Sequence, residues 1–125
     1  MKKIVNIPHP NKQEVKKYLN KWDSLENYVL QENSLNKLFY ELAPKNTDIN
    51  DILIKCSTLN DFYSTNIFSI FTVAKHIQSL NIDDRLKNSD TTLVNDIANV
   101  NVGGKHHVFY SFATKYCSHH CPTKY

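Results

Sequence analysis

The sequence predicts an all-α protein: a single compact domain of six to seven helices around a buried central helix, with a helix-turn-helix near the C-terminus. Three observations carry this. The 125 residues include only two glycines and four prolines, too few turn-formers for a sandwich or a barrel. Apolar residues recur at three- and four-residue spacing along most of the chain. A hydrophobic content of 41%, with fourteen aromatic residues among it, supplies the core of one domain at this length, and 22% charge is ordinary globular usage.

Pro10 followed by Asn11, Lys12, Gln13 and Glu14 marks a helix start, and Val15, Tyr18, Leu19 and Trp22 form the stripe of a helix ending near Asp23. Leu25, Tyr28 and Val29 continue as a short second helix. Ser34 opens a third, with Leu35, Leu38, Phe39 and Leu42 on its face, and Pro44 stops it. Asp48 caps the next helix, whose face is Ile52, Cys56 and Leu59. The turn-formers of residues 60–66 break it near Ser64. A helix from Thr65 or Asn66 to Leu80 is apolar on more than one face, which predicts the central helix, with Phe68 and Phe71 in the core beside Trp22. Residues 81–89 form a polar connector with one turn around Asp84 to Leu86. Asp90 caps a helix through Leu93, Val94, Ile97 and Ala98. The adjacent Gly103 and Gly104 then separate it from a last helix over Val108 to His119.

No apolar run approaches the roughly 20 residues of a membrane span, and Met1, Lys2 and Lys3 lead into no signal-peptide stretch. A cytoplasmic protein without membrane contact is expected. Cys56, Cys117 and Cys121 are an odd number in a core that needs no staples, so they are expected as free thiols. Fourteen lysines against one arginine, with fifteen asparagines, match the coding bias of an AT-rich, bacterial genome. The net charge is +3, and all of it lies after Asp96, where no acidic residue occurs. A phosphate-rich partner would meet that end. Chance in a lysine-rich composition yields the same excess.

Gly103-Gly104-Lys105 at the approach to a helix offers backbone amides and a cation to a phosphate. With His106, His107 and Lys115 it forms the candidate nucleic-acid site, whereas the plain alternative is a helix-to-helix turn. It lacks a phosphate-loop pattern, so nucleotide hydrolysis is not expected. Cys117, His120 and Cys121 fall on one helical face at metal-ligand spacing. No second knuckle accompanies them, and a buried Cys117 beside solvated histidines accounts for the same residues. No metal or other cofactor is expected, and no catalytic residue is assigned. Asp61, Asp83 and Asp84 serve as caps or solvated carboxylates.

Residues 48–125 resemble the first subdomain of the helix-hairpin-helix DNA glycosylase superfamily. The stretch Ile52-Leu53-Ile54-Lys55-Cys56-Ser57-Thr58-Leu59-Asn60 followed by 66–80 is similar to the helix, turn and long helix before that family's hairpin. Residues 92–120, with Tyr110-Ser111-Phe112-Ala113-Thr114-Lys115-Tyr116, resemble the hairpin and the helix after it, while 1–47 would be N-terminal helices packed on this unit. The stretch from Ser111 to Cys117 is also similar to bacterial proteins. The aspartate of base-excising members has no counterpart before Tyr125, and the lysine position of bifunctional members falls nearest Ser111. The resemblance therefore implies a shortened, non-catalytic DNA-binding module. The alternative is a protein-interaction factor, such as a regulator, inhibitor or defence accessory, that binds an acidic protein surface. An active glycosylase is a third reading, and self-association would cover the last helix.

Overall fold

The computed structural model describes the backbone from Lys12 to Tyr125 and the side chains of Lys16 and of residues from Lys21 onward. Among the described residues the protein is all-α apart from one small two-stranded sheet. It divides into two units, residues 1–33 and Ser34–Tyr125. In the first, the described backbone is part of one helix, α1 (Lys12–Asn36). The expected start at Pro10 and Asn11, and the side chains of Val15, Tyr18 and Leu19, lie outside the described residues. The expected breaks near Asp23 and in the low thirties are absent. No glycine or proline falls between Lys12 and Asn36, so nothing removes a backbone donor and the hydrogen-bond ladder continues. Trp22, expected in the core, is 65% exposed, as are much of Leu25 and Tyr28.

The second unit opens with a π-helical segment (Lys37–Leu42), closed by the Ala43 amide donating to the Leu38 carbonyl at 2.8 Å. Its wider turn rotates the apolar face: Leu38 and Phe39 stay buried while Leu42 turns outward. Helix α2 (Ile49–Tyr63) starts at Asp48, whose carboxylate accepts the Asn50 amide at 2.8 Å, and ends at Ser64 in the left-handed conformation. Ile52, Cys56 and Leu59 are buried as their spacing predicts.

Helix α3 (Ile70–Leu80) begins four or five residues later than expected. The side chain of Asn60 is the reason. Its amide donates to the Ile67 carbonyl at 2.9 Å, and its oxygen accepts the Ile67 amide at 2.9 Å and the Thr65 hydroxyl at 2.7 Å. These bonds hold residues 65–67 as a loop. Val73, Ala74 and Ile77 form the buried face of α3, which packs against α2, α5 and the sheet. Phe71 lies on its outer face and Phe68 on the loop, both exposed, so the expectation of two core phenylalanines fails: Ile67 and Ile70 take the inward positions.

Two short helices follow, α4 (Ile82–Lys87) and α5 (Leu93–Ala98). Arg85 joins them, with Nε 2.7 Å from Asp90 and Nη2 bonded to Thr92 and Asp96. Asp90 also accepts the Thr92 amide and hydroxyl. The chain then departs from the expected helix, tight turn and helix. Strands β1 (Asn99–Val102) and β2 (Lys105–Val108) pair antiparallel, Val100 opposite His107 and Val102 opposite Lys105. Gly103 and Gly104, at φ 57° and 78°, form the two-residue tip. Such a turn needs positive φ at both central residues, which glycine adopts without strain. Helix α6 (Tyr110–His120) closes the fold against α5, α2 and the π-helical segment.

Candidate functional site

The densest polar assembly in the second unit lies beneath α6, around Lys55. This lysine is 0% exposed, on the stripe of α2 between Ile52 and Leu59. An ammonium carries three donors, and Nζ meets three acceptors: the Lys45 carbonyl at 2.9 Å, Asn46 Oδ1 at 2.7 Å and His120 Nε2 at 3.1 Å. Asn46 is the hub. Its Oδ1 also accepts the Tyr116 hydroxyl, its backbone amide donates to Asp83 Oδ2 at 2.9 Å and its Nδ2 donates to Asp83 Oδ1 at 2.7 Å. Loop, α2, α4 and α6 thus each contribute a group. Phe39 stands edge-on to Tyr116 and His120.

Burial and charge set the protonation states here. Burial pushes Lys55 down to about 8, opposed by Asp83 and Asp51, so the ammonium persists at neutral pH. Burial, then the neighbouring Lys55 cation, pushes His120 down to about 3. A neutral His120 accepting at Nε2 carries its proton on Nδ1. Tyr116 is raised by burial. Among the described residues no buried side-chain nitrogen or oxygen lacks a partner. A lysine near neutrality is a nucleophile in an open site, but this Nζ has every donor engaged and no exposed surface. The cluster fastens elements together.

The residues expected to bind nucleic acid are only partly brought together. Gly103, Gly104, Lys105 and His106 are exposed at the end of the hairpin. The hairpin stands where the glycosylase resemblance implies a short turn, and β2 separates Gly104 from the start of α6. The glycine amides therefore do not adjoin a helix N-terminus. His106 faces Asn99 and Asn101, with Nε2 2.9 Å from Asn99 Oδ1. His107 stacks on Phe109 at 5.4 Å. Lys115 lies elsewhere, on α6, bonded to Ser111 and 5.0 Å above the Tyr63 ring.

The candidate metal ligands do not converge either. Cys117 is buried, Cys121 Sγ is directed at the Leu86 carbonyl at 3.9 Å, and His120 Nε2 faces Lys55. Among the described residues no group of three or more histidine, cysteine or carboxylate side chains is placed to hold a metal ion. His119 and His120, expected as solvated, are both half-buried, His119 bonded to the Tyr63 hydroxyl at 3.0 Å. All three cysteines are free.

Comparison with known proteins adds a family to this geometry. The family model HI_0787_N, described as an N-terminal domain, matches residues 14–124. The chain belongs to this family. An uncharacterized protein of Haemophilus influenzae is 52% identical to this HI_0787_N domain over 77 residues, 61% of this chain. Those residues span 38% of that relative, which is the longer protein. No solved structure matches the chain.

Two members of the Lys55 cluster were beyond reach of sequence reasoning in the HI_0787_N domain: Asn46 comes from a loop and Asp83 from the first turn of α4, 37 residues later. Lys55 itself left a sign. It falls three residues after Ile52 and four before Leu59, a cation on an apolar stripe.

Proposed function

We propose that this domain is a non-catalytic module that contacts nucleic-acid phosphates through the hairpin of β1 and β2. The observation that carries the reading is the exposed Lys105 and His106 beside a two-glycine tip, in a stretch that holds no carboxylate after Asp96. Open space surrounds the Cβ position of both glycines, so a phosphate backbone approaches the tip without obstruction. The resemblance of residues 48–125 to the helix-hairpin-helix subdomain supports the same class of partner.

Base excision is outside the proposal. Asp90 and Asp96 are held by Arg85 and Asp83 by Asn46, so none of these three is free to activate water. So few cations neutralise one or two phosphates, and the logarithm of affinity should fall with that of salt at a slope of about −1 to −2. Fluorescence anisotropy with a short labelled duplex at low salt tests this. The expected result is weak, sequence-independent binding, abolished in Lys105→Ala with His106→Ala. No binding by duplex or single strand ends the proposal. Equal binding to polyglutamate assigns the hairpin to an acidic protein surface instead.

A further inference from the structure

Helix α1 presents an apolar stripe to water. Every side chain from Lys21 to Leu30 is exposed, and Trp22, Leu25 and Val29 among them share one face at i, i+3 and i+7. In the sequence Val15 and Tyr18 precede them, so the stripe runs 15, 18, 22, 25 and 29. Alternate steps of three and four make a repeat of 3.5 residues, the a and d positions of a heptad. Tyr28 borders the stripe at position g, and Leu30 lies outside it. A helix draws most of its stability from packing such a face. A repeat of 3.5 is the one that keeps the face turned towards a second helix along its length.

The residues at the heptad positions select the partner. Valine at a (Val15, Val29) with leucine at d (Leu25) is the pattern of two-stranded coils. Lys21 at g and Glu26 at e, five residues on, have the spacing at which opposite charges meet across two parallel helices in register. The neighbouring pairs, Glu14 with Leu19 and Tyr28 with Asn33, set no like charges together. An antiparallel pair sets g against g and e against e, which separates Lys21 from Glu26. Between Lys12 and Asn36 four lysines balance four carboxylates, so α1 has no net charge to draw an anionic lipid surface or a nucleic acid. We infer that α1 is the seam of a homodimer, in which it pairs with α1 of a second copy of this chain as a parallel two-stranded coiled coil over residues 15–29. Lys21 of each copy then meets Glu26 of the other, twice by symmetry. The seam ends at Glu32, a carboxylate on the next d position. It is short for a coiled coil, so the pairing is reversible and grows with concentration. No residue of the hairpin takes part.

Sedimentation velocity of the whole chain, at low salt and over a wide range of concentration, tests the inference. The expected result is a reversible shift from one chain to two. Leu25→Asp sets an unpaired carboxylate in the seam and should weaken the dimer by at least about tenfold. Lys21→Glu and Glu26→Lys leave the apolar stripe intact but set like charges across it, and each should weaken the dimer several-fold. An equimolar mixture of these two variants should regain association, because the mixed pair has opposite charges at both contacts. That recovery needs two chains, parallel and in register, and no folding back of one chain reproduces it. A single chain at every concentration overturns the inference. So does a dimer that Leu25→Asp leaves intact, which places the contact elsewhere on the molecule. Species of three or more chains, or a mixture that associates no better than its components, overturn the parallel pair.

Discussion

Lys55 holds the polar interior of the second unit together by satisfying its three donors with a backbone carbonyl, an asparagine and a histidine. Removing one partner of a buried charged cluster strands the others, at a cost of about 3–5 kcal/mol. Urea denaturation of Lys55→Ala should show a loss of that order, and Lys55→Met, which keeps the apolar stem, a smaller one. The two titrating members act over different pH ranges. His120 has a folded value of about 3 against an ordinary 6.5, so the unfolded state binds the extra proton and stability falls as pH drops from 6.5 towards 3. The slope approaches about 1.4 kcal/mol per pH unit. It should flatten in His120→Gln. Lys55, at about 8 against 10.5, also binds protons more weakly when folded. Its contribution therefore rises with pH between 8 and 10.5. Thermal melts across both ranges check the two signs.

At the scale of elements, α2 was legible because Asp48 and the Ile52, Cys56 and Leu59 stripe agree on one helix. The start of α3 was not, because Asn60 acts on the backbone N–H and C=O of Ile67, seven residues away, and propensity carries no trace of it. Asn60→Ala removes three bonds; we expect a loss of about 1–3 kcal/mol, with faster amide exchange at residues 65–68 than elsewhere in the unit. The strands left a short signal that the helical periodicity on either side outweighed. Asn-Val-Asn-Val alternates with period two before Gly-Gly, a hairpin pattern, but each strand is only four residues long and Lys-His-His-Val holds a single strand-former, so the glycine pair was read as a turn between helices. Positive φ at both glycines predicts that Gly104→Val costs about 1–2 kcal/mol. Gly103→Asn, which suits a two-residue hairpin turn, should be near neutral by the same denaturation assay.

Across the whole molecule, the thiols form a graded series. Burial pushes Cys56 and Cys117 up to about 12, which keeps both protonated and unreactive at neutral pH. Cys121 is half-buried. A native thiol titration should therefore modify Cys121 first and reach three equivalents only in denaturant. Early modification of Cys117 would show that α6 opens more readily than its packing indicates. The all-α class was readable from scarce glycine and from periodicity, since both are sums over many residues. The cluster at Lys55 depends on four chain segments meeting at one point, and no local window contains them.

The same scarcity of glycine leaves a mark on the corners of the fold. Ser64, Asn66, Asn81 and Ser89 all have positive φ, between 49° and 58°, a conformation in which a Cβ atom crowds the following carbonyl. Asparagine and serine stand at junctions where glycine is the usual occupant. The composition has thus left an untapped margin of robustness at places that interior packing does not govern. Glycine at Ser64 or Ser89 should raise the melting temperature by relieving that crowding, less whatever the freer unfolded chain takes back. A laboratory selection for heat tolerance would then be expected to find these corners before it found anything in the core.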